Sequence, residues 1–484
     1  MTGRIAIVGA GISGLACALR LHAIDPGLNI VIYEQDVRAG GKILTECVDG
    51  FTIEAGPDAF LASKRGGLSL SRDLGLEDRL VSPVPRTRRS YVLNGGTLVP
   101  LPQGLSGLVP TELRPILQSR ILSPMGKIRM AMDLAIRPRT AIEDESLASF
   151  IGRRMGTEMY ERMIEPLLSG IYAGDGERLS LAATFPQLRA SELTHGGIIK
   201  GALAQKQERS TRDANQTPRT GFLSFRGGMA EIVDRARDKA ATNGAQLILG
   251  AGCQRLEAEE DRAGYRLTIT RTGRETVESF DGVAMAVPAW AAVPLLADVA
   301  PKASEVLERF EHVSNALIVI AFPVSQLTRP LNGYGYVVPR IEGRDVMAMT
   351  WITSKWDGRA PHGQVVIRAF VGRVGQVKAL DGDDESLVQL TLKELRDVLG
   401  LDVVPSLTRV YRWDRGMPQY NMGHLDRVDR VDAELARIPG LELAGNYLRG
   451  VGIPDCVISG ETAAANLVAD LKVQAPRPTP VSTS

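Results

Sequence analysis

The residues whose types and spacing could do chemistry begin at position 9. Gly9, Gly11 and Gly14 follow an apolar run as Gly-x-Gly-x-x-Gly, and Glu34 stands twenty residues after the last glycine. In this context the glycines allow a tight turn, close approach of a diphosphate to the backbone, and close packing of a helix on a strand. A helix N-terminus favours phosphate, and a carboxylate at this spacing accepts the hydrogens of ribose hydroxyls. The pattern predicts a dinucleotide site formed by Gly9, Ala10, Gly11, Ile12, Ser13, Gly14 and Glu34.

The flanking sequence predicts the elements that must hold this turn. Residues 4–8 and 29–34 are short β-branched runs typical of buried parallel strands, and residues 15–23 have helical apolar spacing. Towards the C-terminus, residues 441–446 predict a further strand and residues 459–472 a closing helix. We therefore expect an α/β fold with a Rossmann-like domain to which both ends of the chain contribute.

Composition and charge exclude several classes of protein. The 484 residues are 44% hydrophobic and 23% charged, which is ordinary for a globular chain of roughly three domains. The 57 basic and 56 acidic residues leave a net charge of +1, which argues against a nucleic-acid binder because such proteins carry a basic face. The five histidines lack metal-ligand spacing, so no metal site is expected.

Cysteine usage and targeting patterns indicate where the protein works. The four cysteines are far apart and include no CxxC pair, which favours a reducing compartment. The N-terminus runs into an apolar strand without the features of a signal peptide, and no apolar stretch reaches the about 20 residues that cross a bilayer. We expect a cytoplasmic protein, with peripheral membrane contact through the middle of the chain left open.

Three further glycine-rich segments indicate that the dinucleotide is FAD. The segment 38–42 (RAGGK) resembles the element after the second strand in flavoproteins such as amine oxidases and phytoene desaturases, with Lys42 where arginine is commoner. Residues 54–58 resemble the family segment beside the isoalloxazine ring. Residues 450–456 precede a helix whose N-terminus would stabilise negative charge on a reduced flavin. The contacts expected from these segments are Gly40, Gly41, Lys42, Gly56, Pro57, Asp58, Val451, Gly452, Ile453, Pro454 and Asp455.

Longer segments narrow the resemblance to one family. Residues 167–175 (LLSGIYAGD), 179–186 (LSLAATFP), 417–424 (MPQYNMGH) and 450–456 (GVGIPDC) are similar to segments of the bacterial porphyrinogen oxidases of haem synthesis. The resemblance extends over nearly the full chain. It implies an FAD-binding domain of the amine oxidase and protoporphyrinogen oxidase type, a mixed-sheet substrate domain and a helical insertion. The expected division is 1–85, 221–290 and 413–473 for the FAD-binding domain, 90–205 for the insertion that gives substrate access, 291–412 for the substrate domain, and 474–484 for a disordered tail.

The same resemblance assigns roles to residues outside the glycine motifs. It implies that Gly170 and Ile171 lie near the reacting meso carbon, with Tyr172 beside them on the substrate side. It also implies that the macrocycle is held between Val337 and Phe370. Two further expected FAD contacts are Cys253 and Trp413.

Lys64 favours a substrate with many carboxylates. The segment 56–64 (GPDAFLASK) resembles the coproporphyrinogen III oxidases of Gram-positive-type bacteria, which have a lysine at this point. An ammonium beside a propionate makes a charge-assisted hydrogen bond, and coproporphyrinogen has four propionates where protoporphyrinogen has two. We predict that the chain oxidises coproporphyrinogen III to coproporphyrin III with FAD and dioxygen. It would hand its product to other haem-synthesis enzymes and act as a monomer or homodimer.

Three alternatives remain. The substrate could be protoporphyrinogen IX, or the chain could be an FAD amine oxidase or carotenoid desaturase. A non-enzymatic, flavin-stabilised partner of haem-synthesis proteins is the third. The segments 167–186 and 417–424 argue against the second alternative, and the complete cofactor motif argues against the third.

Overall fold

The computed structural model describes residues 3–85, 89–102, 105–106, 109–110, 113–140, 143–211 and 221–474. The tail expected from 474 onward lies outside these residues, apart from Gln474 at the end of the last helix. The strands are β1 (Arg4–Val8), β2 (Asn29–Glu34), β3 (Thr45–Val48), β4 (Phe51–Glu54), β5 (Phe60–Leu61), β6 (Leu80–Val81), β7 (Ser90–Asn94), β8 (Thr97–Pro100), β9 (Leu105–Ser106), β10 (Val109–Pro110), β11 (Phe222–Phe225), β12 (Gln246–Leu249), β13 (Ala251–Ala258), β14 (Tyr265–Arg271), β15 (Arg274–Phe280), β16 (Gly282–Met285), β17 (His312–Pro323), β18 (Gly335–Val337), β19 (Val346–Trp351), β20 (Gln364–Val371), β21 (Leu407–Pro418) and β22 (Leu441–Leu443).

The helices lie between these strands and cluster in the middle of the chain. They are α1 (Ile12–Ile24), α2 (Arg65–Asp73), α3 (Leu113–Gln118), α4 (Pro124–Ala131), α5 (Leu147–Met155), α6 (Thr157–Met159), α7 (Glu165–Tyr172), α8 (Leu181–Thr184), α9 (Pro186–His195), α10 (Ile198–Thr211), α11 (Ala230–Thr242), α12 (Ala289–Leu296), α13 (Pro301–Leu307), α14 (Ile352–Lys355), α15 (Asp384–Glu394), α16 (His424–Leu435) and α17 (Ile453–Gln474).

A parallel five-stranded sheet holds the glycine turn. Its order is β12-β2-β1-β16-β22, so it draws strands from the start, middle and end of the chain. The central strand β1 is fully buried at Ile5, Ala6 and Ile7, as expected for a strand covered on both faces. Helices α1 and α17 pack together so closely that a Cβ on Gly460 would overlap the carbonyl oxygen of Ser13. The predicted α/β class is confirmed.

A second, seven-stranded sheet has the order β21-β17-β20-β19-β18-β7-β8. Its pairs are antiparallel except for β7 with β18, so the sheet is mixed. The prediction that the segment from 90 onward is mostly helical is wrong at its beginning, because residues 90–100 form β7 and β8 of this sheet. Val92 and Leu93 are fully buried there, and their strand pairs with residues 335–337, which lie far away in sequence.

Helices α3 to α10 follow these strands and enclose a separate apolar core, which includes Phe150, Ile164 and Leu168. Gly196, in a left-handed conformation with φ of 82°, separates α9 from α10. The closing helix α17 begins at Ile453, earlier than the predicted position 459. In the part of the chain that the structure describes, no helix is both long enough and apolar enough to span a membrane.

Candidate active site

The glycine turn after β1 is shaped by two glycines and left open by the third. Gly9 has φ of 102°, and a Cβ there would lie 2.7 Å from the carbonyl oxygen of Ala286. A Cβ on Gly14 would overlap the carbonyl oxygen of Gly9. Gly11 has an ordinary φ of −68°, and a Cβ there would meet nothing within 4 Å. Gly9 and Gly14 are therefore needed for the fold itself, whereas Gly11 borders an open cradle at the N-terminus of α1, where Ile12 and Ser13 form the first turn.

Glu34 ends β2 with its carboxylate buried beside this cradle. One oxygen accepts a hydrogen bond from the Ala10 N–H at 2.8 Å and the other from the Asp36 N–H at 3.0 Å. Each oxygen has a further lone pair, so the carboxylate retains capacity for ribose hydroxyls. Cys253 lies near Glu34. Burial raises the pKa of its thiol to about 12, and the Glu34 charge contributes to the rise.

The segment 40–42 closes the other side of the cradle. Gly40 donates its N–H to the Ala10 carbonyl at 2.9 Å, and a Cβ on Gly41 would lie 3.5 Å from Cα of Gly11. The Lys42 side chain is partly buried, and desolvation lowers its pKa to about 8, with the nearby Cys456 acting in the opposite sense. Among the described residues it has no hydrogen bond or ion pair. A partly buried cation without a partner suits a bound phosphate.

Two buried ring nitrogens, one of them in His312 near Lys42, also lack hydrogen-bond partners among the described residues. Burial lowers the pKa of His312 to about 4, so its imidazole is neutral, and Nδ1 donates to the carbonyl of Phe310 at 2.9 Å. Its Nε2 is buried and has no hydrogen-bond partner in the described part of the chain, and the same holds for Nε1 of Trp290. Buried polar atoms are nearly always satisfied, so these two atoms fit a polar ligand.

The segment that follows β4 is clamped between Lys42 and the seven-stranded sheet. A Cβ on Gly56 would overlap the Lys42 carbonyl oxygen. The Gly56 carbonyl accepts from the Arg368 guanidinium at 2.7 Å, and the Ala55 carbonyl accepts from Nε1 of Trp413 at 2.8 Å. Of the expected FAD contacts, Gly56 and Trp413 thus lie together here, and Pro57 is exposed beside them.

Asp58, another expected FAD contact, is paired with cations of the protein. Its carboxylate accepts from the Lys355 ammonium at 2.7 Å and from Nε1 of Trp356 at 3.0 Å, and the Arg368 guanidinium lies 3.9 Å away. Burial alone would raise the pKa of Asp58, but the charges of Lys355 and Arg368 hold it well below its usual range. The carboxylate therefore neutralises two cations of the protein.

The loop before α17 is fixed by a tyrosine from the segment 417–424. The Tyr420 hydroxyl accepts from the Gly450 N–H at 2.7 Å and donates to the Asn446 carbonyl at 2.6 Å. Its ring stacks on His424 at 3.9 Å between centroids, and Nε2 of His424 donates to the Leu448 carbonyl at 2.8 Å. These contacts hold the residues from which Val451, Gly452, Ile453, Pro454 and Asp455 continue into α17.

The residues expected around the substrate lie along α7 and the facing sheet. Gly170 and Ile171 are exposed, and a Cβ on Gly170 would lie 3.9 Å from Cγ1 of Val337. Tyr172 is buried with its ring 6.0 Å from that of Tyr420, so this edge adjoins the loop before α17. Phe370 packs in a neighbouring small apolar cluster with Ala173 and Met347. The structure therefore brings the expected substrate residues to one face beside the cradle.

Lys64 lies at the same edge and already has a carboxylate partner. Its ammonium donates to Oδ2 of Asp455 at 2.6 Å, and that oxygen also accepts from the Gly452 N–H at 3.2 Å. The predicted substrate cation and one of the predicted FAD contacts are thus paired with each other.

Together these residues fit FAD. The open space at Gly11, the retained acceptor capacity of Glu34, the unpartnered Lys42 ammonium and the unpartnered Nε2 of His312 match the diphosphate, ribose and flavin of such a group.

Comparison with known proteins agrees with this geometry. The family model described as flavin containing amine oxidoreductase matches residues 12–468. A coproporphyrinogen III oxidase from Bacillus subtilis (strain 168) is 33% identical over 467 residues, covering 96% of this chain and 97% of that protein. A chloroplastic protoporphyrinogen oxidase from Nicotiana tabacum is 32% identical over 470 residues, covering 93% and 83%. A crystal structure from Exiguobacterium sp. 255-15, named as a protoporphyrinogen oxidase, superposes with a TM-score of 0.83 at 34% identity, covering 98% of this chain and 99% of that one.

The chain belongs to the porphyrinogen oxidases, within the flavin-containing amine oxidoreductases. This porphyrinogen oxidase is an FAD-dependent enzyme, and the predicted family and cofactor are confirmed. The described residues contain no cluster of histidine, cysteine, aspartate or glutamate side chains able to hold a metal ion.

Sequence reasoning missed three buried polar groups of this porphyrinogen oxidase. They are the buried Arg368 and the unpartnered rings of His312 and Trp290. A charge in the middle of the apolar run 364–371 (QVVIRAFV) was a signal for Arg368, because an arginine is rarely buried in a strand without a partner. Nothing in the local sequence marks His312 or Trp290, since their missing partners are apparent only in three dimensions.

Proposed function

We propose that this enzyme oxidises coproporphyrinogen III to coproporphyrin III in haem biosynthesis, with dioxygen as the electron acceptor. The observation that carries the proposal is the open face at Gly170 and Ile171 opposite Val337, with a lysine at its edge and the cofactor cradle beside it. The B. subtilis relative supports the choice of substrate.

The residues of the chain would bind and orient the macrocycle. FAD, when bound, takes up two electrons at a time, so a six-electron oxidation requires three cycles. Val337 and Phe370 offer apolar surfaces to the rings, and the small Gly170 allows a meso carbon to approach closely. An apolar lining also keeps water from the reacting carbon. Lys64 would donate to a propionate at the rim. We further propose the expected division into an FAD-binding domain, a substrate domain and an insertion that controls substrate access, with β7 and β8 assigned to the substrate domain.

The purified holoenzyme should form three molecules of hydrogen peroxide for each coproporphyrin III under air, because each pair of electrons reduces one dioxygen. The measurement is porphyrin fluorescence together with a peroxide assay in the same sample, and anaerobic samples are the control. Porphyrin formation that continues without oxygen, or that leaves no peroxide, would mean that another acceptor is used.

Protoporphyrinogen IX remains the second candidate substrate, and the N. tabacum relative favours it. The same face would accept this macrocycle with two fewer carboxylates. The proposal also includes transfer of the product to other haem-synthesis enzymes, by an enzyme that acts as a monomer or a homodimer.

We also propose that this enzyme is cytoplasmic and contacts anionic membranes through α3, α4 and the turn after α4. Exposed apolar side chains lie there next to exposed arginines, a combination that favours the surface of an anionic bilayer. The apolar side chains are Leu117, Met125, Ile128, Met132 and Leu134, and the arginines are Arg114, Arg120 and Arg137. The wild type should co-sediment with phosphatidylglycerol vesicles, and the variant Met125→Ser/Ile128→Ser should bind at least about fivefold more weakly. Equal binding by both proteins would contradict the proposed surface.

A further inference from the structure

The ion pair between Lys64 and Asp455 connects a residue that is expected to bind the substrate with a residue that is expected to bind FAD. Lys64 precedes α2, and Asp455 is in the first turn of α17, 391 positions later. The two charged atoms are 2.6 Å apart, and the lysine side chain is 46% exposed while the aspartate is 18% exposed. The ammonium therefore lies at the open side of the pair, where an incoming ligand would meet it.

Close backbone packing fixes both ends of this pair. A Cβ on Gly66, in the first turn of α2, would overlap the carbonyl oxygen of Pro454. A Cβ on Gly450 would overlap the Asp455 side chain itself, and Gly450 has φ of 150°. The Gly452 N–H donates to the same carboxylate oxygen as Lys64. Asp455 therefore cannot move away from Lys64 without distorting α2 or the loop before α17.

The pair also lies next to the proposed substrate face. The Asp455 side chain packs against Gly450, whose N–H donates to the Tyr420 hydroxyl at 2.7 Å, and the Tyr420 ring lies 6.0 Å from the ring of Tyr172. Tyr172 follows Gly170 and Ile171 on α7. A carboxylate of the substrate at this edge would therefore approach an ammonium whose charge is already balanced by Asp455.

We propose that Asp455 competes with a carboxylate of the substrate for the Lys64 ammonium. It holds the Lys64 ammonium when the pocket is empty, and it weakens the hold of Lys64 on a propionate, so that the oxidised product leaves readily. Asp455 is thus a specificity-tuning residue that acts through Lys64. The inference rests on the proposed function, because it requires a ligand with carboxylates at this edge.

A double-mutant cycle on the FAD-loaded enzyme tests this inference. The probe is coproporphyrin III, titrated by fluorescence against the wild type, Asp455→Asn, Lys64→Met and the double variant. Asp455→Asn should bind coproporphyrin III about fivefold more tightly, since the Lys64 ammonium loses its counter-ion. Lys64→Met should bind it about tenfold more weakly. In the Lys64→Met background, Asp455→Asn should change the dissociation constant by less than about twofold.

The controls separate competition from a general charge effect. Asp429→Asn removes another carboxylate near the loop, one that pairs with Arg449, and it should leave coproporphyrin III binding unchanged. Flavin absorbance reports whether each variant retains FAD. If Asp455→Asn tightens binding equally with and without Lys64, or weakens binding, the inference is overturned while the proposed function stands. If the wild type neither binds coproporphyrin III nor oxidises coproporphyrinogen III, both fail.

Discussion

The variant Gly11→Val should fold and lose FAD. The backbone at Gly11 has φ of −68° and a Cβ there meets nothing within 4 Å, so a valine costs the fold little. It would, however, occupy the cradle in which the diphosphate must approach the turn. We expect FAD binding to weaken by at least about 100-fold, which corresponds to about 2.7 kcal/mol. The measurement is the ratio of flavin to protein absorbance after purification, followed by titration of the apoprotein with FAD.

A matched control for this variant is available in α5. Gly152 also has open space around a built Cβ, but it lies in a helix of the insertion away from the cradle. Gly152→Val should retain FAD in full. Wild-type flavin content in Gly11→Val would show that the cofactor does not approach this turn, and equal losses in both variants would show that the effect is not specific.

The variant Asp58→Asn should be the most destabilising charge substitution in the site. It would leave Lys355 and Arg368 as uncompensated cations, with side chains only 13% and 2% exposed. Removal of one partner of a buried pair leaves the desolvated charge unbalanced, so we expect the free energy of unfolding to fall by about 3 kcal/mol. Urea unfolding followed by tryptophan fluorescence and by circular dichroism measures this loss.

The pH dependence of this loss has a definite sign. In the folded protein the pKa of Asp58 lies below its ordinary value of 3.8, so the pair stabilises the fold above about pH 4. The contribution is lost as the pH falls through the folded-state pKa, and the gap between wild type and Asp58→Asn should narrow below about pH 4. Glu77→Gln, which breaks an exposed pair with Arg72, should cost less than about 1 kcal/mol. A loss for Asp58→Asn as small as that of Glu77→Gln would contradict the proposed cluster.

Local patterns were sufficient to predict the first βαβ unit. The strands 4–8 and 29–34 match β1 and β2 as the structure has them, because each is a continuous apolar run that is buried on both faces. The start of α17 was predicted too late, at 459. Pro454 was the available signal, since proline favours the first turn of a helix.

Contacts between distant parts of the chain could not be predicted from local patterns. The strand β7 was assigned to a helical region because its pairing with β18 involves residues that are remote in sequence. The engagement of Lys64 by Asp455 and of Asp58 by Lys355 likewise depends on the tertiary fold. Local motifs therefore indicate which residues belong to the site, whereas the ion-pair partner of each residue depends on how distant parts of the chain pack together.

A side-by-side assay under air tests most directly the claim that this enzyme prefers coproporphyrinogen III. Purified holoenzyme would receive coproporphyrinogen III or protoporphyrinogen IX, with porphyrin fluorescence followed over time and FAD-free Gly11→Val protein as the control. We predict a kcat/KM at least about tenfold higher for coproporphyrinogen III, a difference of about 1.4 kcal/mol in transition-state binding. A preference for protoporphyrinogen IX, or oxidation of neither compound above the control, would contradict the claim.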